Sequence, residues 1–138
     1  MAGVVVVGYD GSQGSRAALD TAVELARQFD DRLVVVFGAG PPGRVGDEAR
    51  AFRRAIEEHG EQVTGEAVER AREGGVDVEL VISPERAHEA LRTVADERGA
   101  RFIVVGSYGE SPIKGAILGA VPHKLLHLAD TPIVVVRG

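Results

Sequence analysis

A single α/β domain is the fold class this sequence predicts: one doubly wound, five-stranded parallel sheet in the order 3-2-1-4-5, with helices on both faces. Three observations predict it. Five short apolar runs, several almost pure valine, alternate with segments of helical periodicity, as strands and helices do around a parallel sheet. The first and fourth runs each end in a glycine-bearing loop, a device that lets bare backbone amides approach a phosphate at a helix N-terminus. The third run alternates apolar and polar residues, as a strand near a sheet edge does.

The elements follow in order. The first strand is Val4–Gly8. Ala18, Ala22, Leu25 and Phe29 then recur at helical spacing, with Ser15 as N-cap. The second strand is Leu33–Phe37, followed by Gly40-Pro41-Pro42-Gly43-Arg44-Val45-Gly46, which has the composition of a mobile loop. Phe52, Ile56, His59, Val63 and Ala67 mark a second helix, whose continuity Gly60 and Gly65 count against. The third strand is Val76–Ile82. Ser83 and Pro84 are the cap and first residue expected of a third helix, and Gly99 its end. The fourth strand is Phe102–Val105, Val121, Leu125 and Leu128 mark the last helix, and the fifth strand is Ile133–Val136.

Ligands on such sheets sit at the C-terminal strand ends where strand order reverses. If the loops after strands one and four share a ligand, those strands are neighbours. Right-handed crossovers then lead to 3-2-1-4-5, which places strands three and five at the edges.

The bulk composition narrows the function. A chain of 138 residues forms one domain, 1–138, long enough to bury a core unaided. It has no cysteine, which removes disulfides and thiol chemistry. A net charge of −5 and only 4% aromatic residues argue against nucleic acid as a partner. The apolar runs are of strand length, so no membrane span is expected. No basic region precedes the first apolar run, so no signal peptide is read and the cytoplasm is the expected location.

The candidate site residues each carry two readings. Gly106, Gly109 and Gly119 form a spaced set after the fourth strand; glycines there also supply turns. In Asp10-Gly11-Ser12 the carboxylate either caps the loop or accepts from a ribose hydroxyl or a base amino group, and Ser12 or Ser15 caps the helix. His123 and His127 lie one turn apart, a spacing that can hold a metal, but without a matching Glu motif they read as a solvated pair. His59 reads as part of a helix face or its rim, and Glu57 and Glu58 as a solvated face. No dinucleotide fingerprint follows strand one and no P-loop exists. A receiver domain would need an Asp ending strand three, where Ile82-Ser83-Pro84 stands. An ATP pyrophosphatase would need S-G-G-x-D-S, where Tyr9-Asp10-Gly11-Ser12-Gln13-Gly14 stands.

Taken together, Val7-Gly8-Tyr9-Asp10-Gly11-Ser12-Gln13-Gly14-Ser15, Phe102 to Gly109, Gly119-Ala120-Val121-Pro122 and Thr131-Pro132-Ile133-Val134-Val135-Val136 resemble the universal stress protein family over nearly the whole chain. Its ATP-binding members carry G-x2-G-x9-G-[S/T], which Gly106, Gly109 and Gly119 match. The resemblance implies the 3-2-1-4-5 sheet, a homodimer, commonly paired through the fifth strands, and no established catalytic role for most members; slow ATP hydrolysis stays open. It implies Asp10 facing the adenosine of ATP or another adenine nucleotide, with Gly106, Gly109, Gly119 and the backbone of Ala120 and Val121 facing ribose and phosphates. No metal ligand is read from the sequence.

Three departures point to a degenerate site. Ala120 replaces a hydroxyl residue, Pro122 has neither hydroxyl nor N–H, and Glu110 places a carboxylate where a basic residue is common, with Lys114 nearby to offset it. A lost hydrogen bond to a charged group costs about 1.5–3 kcal/mol, so two such losses weaken binding by roughly 10²-fold or more. The rival reading is a dimeric interaction module of the same fold that binds no nucleotide.

Overall fold

Valine runs buried on both faces dictate a central sheet, and the computed structural model forms one with all its ladders parallel. It describes residues 3–38, 47–107 and 120–138, and for residues 47–57 the backbone course alone. The elements run β1 (Val4–Gly8), α1 (Gln13–Phe29), β2 (Arg32–Gly38), α2 (Asp47–Glu73), β3 (Val78–Ser83), α3 (Ala87–Arg98), β4 (Phe102–Gly106), α4 (Ala120–Leu128) and β5 (Ile133–Val136). Strand order is β3-β2-β1-β4-β5, the order expected from the two glycine loops. The Gly40–Gly46 segment lies outside the described residues.

The two faces of the sheet carry separate cores. Val5, Val7, Leu33, Val35 and Val104 pack against Ala18, Leu19, Ala22 and Ala26 of α1 and Ala67 and Ala71 of α2. On the other face Val6, Val34, Val36, Ile103 and Val105 pack against Ala90, Leu91, Val94 and Ala95 of α3 and Leu125 of α4. The period-2 alternation along each strand divides the residues between the two clusters. The central strands β1 and β4 have buried interiors, whereas β3 and β5 are only partly buried along almost their whole length, as edge strands must be.

Several boundaries differ from the sequence expectation, each for a physical reason. Ser12, not Ser15, is the N-cap of α1: its Oγ accepts from the Ser15 N–H at 3.2 Å. Asp30 ends that helix in the left-handed region at φ 55°, a conformation Asp tolerates better than most residues. Ser83 ends β3 and holds a turn instead of capping a helix. Its Oγ accepts from the Glu85 N–H at 3.1 Å, and α3 begins only at Ala87, where the N-cap position Arg86 makes no side-chain cap. Gly99 does end α3, at φ 58°. α2 is continuous through both of its glycines. A Cβ on Gly60 would lie 2.9 Å from the Phe37 ring, so this glycine lets α2 approach β2, while a Cβ on Gly65 would meet nothing within 4 Å.

Candidate functional site

β1 and β4 are neighbours, with Val7 opposite Val104, so the turn after β1 and the end of β4 meet at the C-terminal end of the sheet. The Tyr9 N–H donates to the Val36 carbonyl at 3.0 Å, carrying the β1–β2 pairing one residue past the strand. The chain then turns sharply. Asp10 Oδ1 accepts from the Ser12 N–H at 2.9 Å, Gly11 adopts φ 84°, and Ser12 caps α1. Ser15 Oγ closes the turn by donating to the Ser12 carbonyl at 3.0 Å while accepting from the Asp10 N–H at 3.3 Å. Asp10 is therefore a half-buried carboxylate held in place by an Asx turn, with one oxygen engaged by the backbone.

Gly106 closes β4. Its Cα stands so near the first turn of α1 that a Cβ would come within 2.7 Å of the carbonyl carbon and oxygen of Gly14. The following Ser107 N–H donates to the Val136 carbonyl at 2.9 Å, so that amide serves the β4–β5 pairing. Ala120 and Val121 open α4, Ala120 exposed and Val121 partly buried on the cluster beneath α3 and α4. Pro122 is buried in the same turn. Gly109 and Gly119, with Glu110 and Lys114, lie outside the described residues. Of the six site residues expected from sequence, the structure brings Asp10 and Gly106 to adjacent strand ends and sets Ala120 and Val121 at the start of the helix that follows β4.

Two features here had no clear signal in sequence. Tyr9 turns into the α1–α2 side of the core, and its hydroxyl is buried without a hydrogen-bond partner among the described residues. The Arg16 guanidinium of α1 pairs with Glu66 of α2 at 3.7 Å. His88, at the start of α3, is pushed to a lower pKa by burial and by the Lys124 ammonium of α4, with Glu89 at 3.7 Å acting in the opposite sense. No alternation or motif marks a residue whose neighbours come from other elements.

The sequence matches the family model described as the Universal stress protein family over residues 1–137. The chain belongs to this family. It is 34% identical to universal stress protein YxiE of Bacillus subtilis, with 96% of this chain and 97% of that protein covered. The structure superposes on a universal stress protein UspA from Lactobacillus plantarum at a TM-score of 0.85 and 15% identity, covering 98% and 97% of the two chains. It also superposes on a universal stress protein solved in complex with cAMP, at a TM-score of 0.78 and 29% identity, covering 97% and 96%. Among the described residues of this universal stress protein no helix is long and apolar enough to cross a membrane.

Proposed function

We propose that this universal stress protein is a cytoplasmic, non-catalytic stress-response dimer that binds an adenine nucleotide weakly at the C-terminal ends of β1 and β4. The observation that carries the reading is the meeting of the Asp10 turn with the Gly106 end of β4. It puts a half-buried carboxylate beside the strand end that leads into the glycine segment. A similar protein, 29% identical, has been solved with cAMP, which supports an adenine nucleotide as the ligand class.

The residues present fit such a ligand. A carboxylate has about four acceptor positions, and the Ser12 N–H takes one on Asp10 Oδ1, so Asp10 keeps capacity for a ribose hydroxyl or the adenine amino group. The Gly106 backbone, with Gly109, Gly119, Ala120 and Val121 along the same chain, would line ribose and phosphates. The Ser107 amide is committed to Val136, Ala120 brings no hydroxyl and Pro122 no N–H, so these described positions offer the phosphates few donors. Affinity in the micromolar-to-millimolar range follows, about −8 to −4 kcal/mol. Calorimetric titration with ATP, ADP, AMP and cyclic AMP tests it: heat with at least one, at that affinity, is expected, and nanomolar ATP binding would overturn the degenerate site.

One observation favours the rival, a dimeric interaction module without nucleotide. Gly106 already has a packing cause in Gly14, so its lack of a side chain need not serve a phosphate. Absence of heat with all four nucleotides, in a protein that still sediments as a dimer, would select the module.

A further inference from the structure

His123 and His127 stand outside everything the nucleotide reading uses. Both are exposed on α4, one turn apart on the same face. Their rings meet edge to face, with centroids 4.9 Å apart and planes at 74°. The pair thus brings two imidazoles to one place on the surface. A late first-row divalent cation takes imidazole nitrogens at about 2.0–2.1 Å, and two exposed rings one turn apart can turn their nitrogens toward one such ion. His127 lies in the last turn of α4, where the unpaired carbonyls make the helix end negative and favour a cation.

The other histidines are not equivalent. His88 is largely enclosed, with a side chain 11% exposed, and faces the Lys124, Arg86 and Arg92 cations as well as Glu89, so a cation there would meet like charge. His59 is engaged edge-on with the Phe37 ring. Lys124 follows His123 directly in sequence, but its ammonium acts on His88 across the α3–α4 seam. Asp130, exposed just beyond the helix, adds negative charge at the His127 end. Among the described residues no group of three or more His, Cys, Asp or Glu converges, so the described residues supply two ligands here.

We propose that His123 and His127 form a two-imidazole chelate for a late first-row divalent cation, with Cu2+ preferred over Ni2+ and Zn2+, and with Mg2+ and Ca2+ not accepted. The order follows from ligand softness and the general stability series of these ions, and the exclusion from the preference of hard cations for oxygen. The chelate spans successive turns, so it holds α4 in its helical form, and its binding free energy adds to the stability of the folded chain. The proposal is independent of any nucleotide.

The test uses the full chain free of any affinity tag, titrated with Cu2+, Zn2+ and Mg2+ while the histidine ring signals are followed by NMR (with Zn2+) and the thermal midpoint is recorded. Expected are one Cu2+ per chain, Zn2+ shifts confined to His123 and His127, a Zn2+-dependent rise in Tm, and no response to Mg2+. His123→Ala and His127→Ala should each weaken Cu2+ by about tenfold or more, since even an outer partner of a metal ligand is worth that much, and each should remove the Tm rise. His59→Ala should change neither. Alanine at two exposed helical positions preserves the fold, which circular dichroism checks. Cu2+ affinity unchanged in the His123→Ala/His127→Ala double variant, or a response to Mg2+ equal to that for Zn2+, overturns the proposal.

Discussion

Gly106 at the end of β4 and Gly14 in the first turn of α1 approach so closely that no side chain fits between them; a Cβ on Gly106 would stand 2.7 Å from the Gly14 carbonyl carbon and oxygen. The last residue of the chain joins the same contact, since a Cβ on Gly138 would lie 2.8 Å from the Ala17 Cβ and 3.2 Å from the Gly14 Cα. The start of α1, the end of β4 and the segment that follows β5 are thus packed on one another. A disturbance at Gly106 must reach both halves of the proposed site.

Gly106→Ala is the direct consequence. The atoms met are backbone, which cannot rotate away, so α1 or the β4 end has to shift. We expect a loss of stability of about 1–3 kcal/mol, the usual cost of overpacking, seen as a lower urea midpoint. Nucleotide binding should weaken as well. A variant as stable as wild type would mean that α1 moves freely against β4.

Ala120→Ser restores a hydroxyl at the start of α4. Ala120 is exposed, so serine costs no packing, whereas Pro122 is buried and its replacement would disturb the helix start as well. If the missing hydroxyl limits affinity, calorimetry should show ATP binding tightened by about 1.5–3 kcal/mol, the worth of a hydrogen bond to a charged group. No gain would shift the cause to Glu110.

The opposite end of the sheet carries its own clamp. The Asp31 carboxylate, with a side chain 0% exposed, accepts from Arg101 Nε at 2.7 Å and Nη2 at 3.2 Å and from the Gly3 N–H at 2.8 Å. The Arg101 guanidinium also lies 4.4 Å from the centre of the Phe29 ring. This ties the entrance of β1 to the end of α1 and to the start of β4, across 70 residues of sequence. Asp31→Asn keeps the shape and loses the charge, and should cost about 1.5–3 kcal/mol.

Acid should act through the same pair. The hydrogen bonds from Arg101 hold the Asp31 pKa below its ordinary value, and those from Arg98 do so for Glu79. The folded protein therefore binds these protons less readily than the unfolded chain. The stability they contribute is complete at neutral pH and is lost as pH falls from the ordinary carboxylate range through the lowered values. Burial of His88 works in the same direction at higher pH, below its ordinary value of 6.5. Urea unfolding as a function of pH should show stability falling toward acid, and the slope in the carboxylate range should be shallower in Asp31→Asn.

Among the described residues β5 has one unpaired edge, and Leu126 and Leu128 of the helix before it are exposed at 55% and 50%. A long apolar edge left bare invites non-specific pairing, which a two-fold copy would close. We expect a dimer at tens of micromolar (about −6 kcal/mol or tighter) by analytical ultracentrifugation, shifted toward monomer by Val135→Lys. Val135 also packs on the α3–α4 cluster, so the mutant should lose stability too, and mass is the proper readout. A dimer unchanged by the substitution would place the interface elsewhere.

What the sequence determined by itself was the architecture and the family. Valine runs and an alternating third run are local signals of burial on two faces or one, and two glycine loops at strand ends sufficed to place β1 beside β4. The spacing of Asp10, Gly106, Gly109 and Gly119 was legible because a motif is a pattern along the chain. Only the tertiary structure decided what those residues touch. Whether Gly60 or Gly65 has a packing cause depends on Phe37, more than twenty residues away, and the two look alike in sequence. Ser83-Pro84 carries the local signature of a helix start, yet β3 continues through Ser83, paired with Gly38, and the helix waits until Ala87. Asp31 and Arg101 bear no motif at all. Their pairing exists because parallel strands bring the entrances of β2 and β4 to either side of β1, and hydrogen bonds between side chains 70 residues apart follow from that topology and not from any local preference.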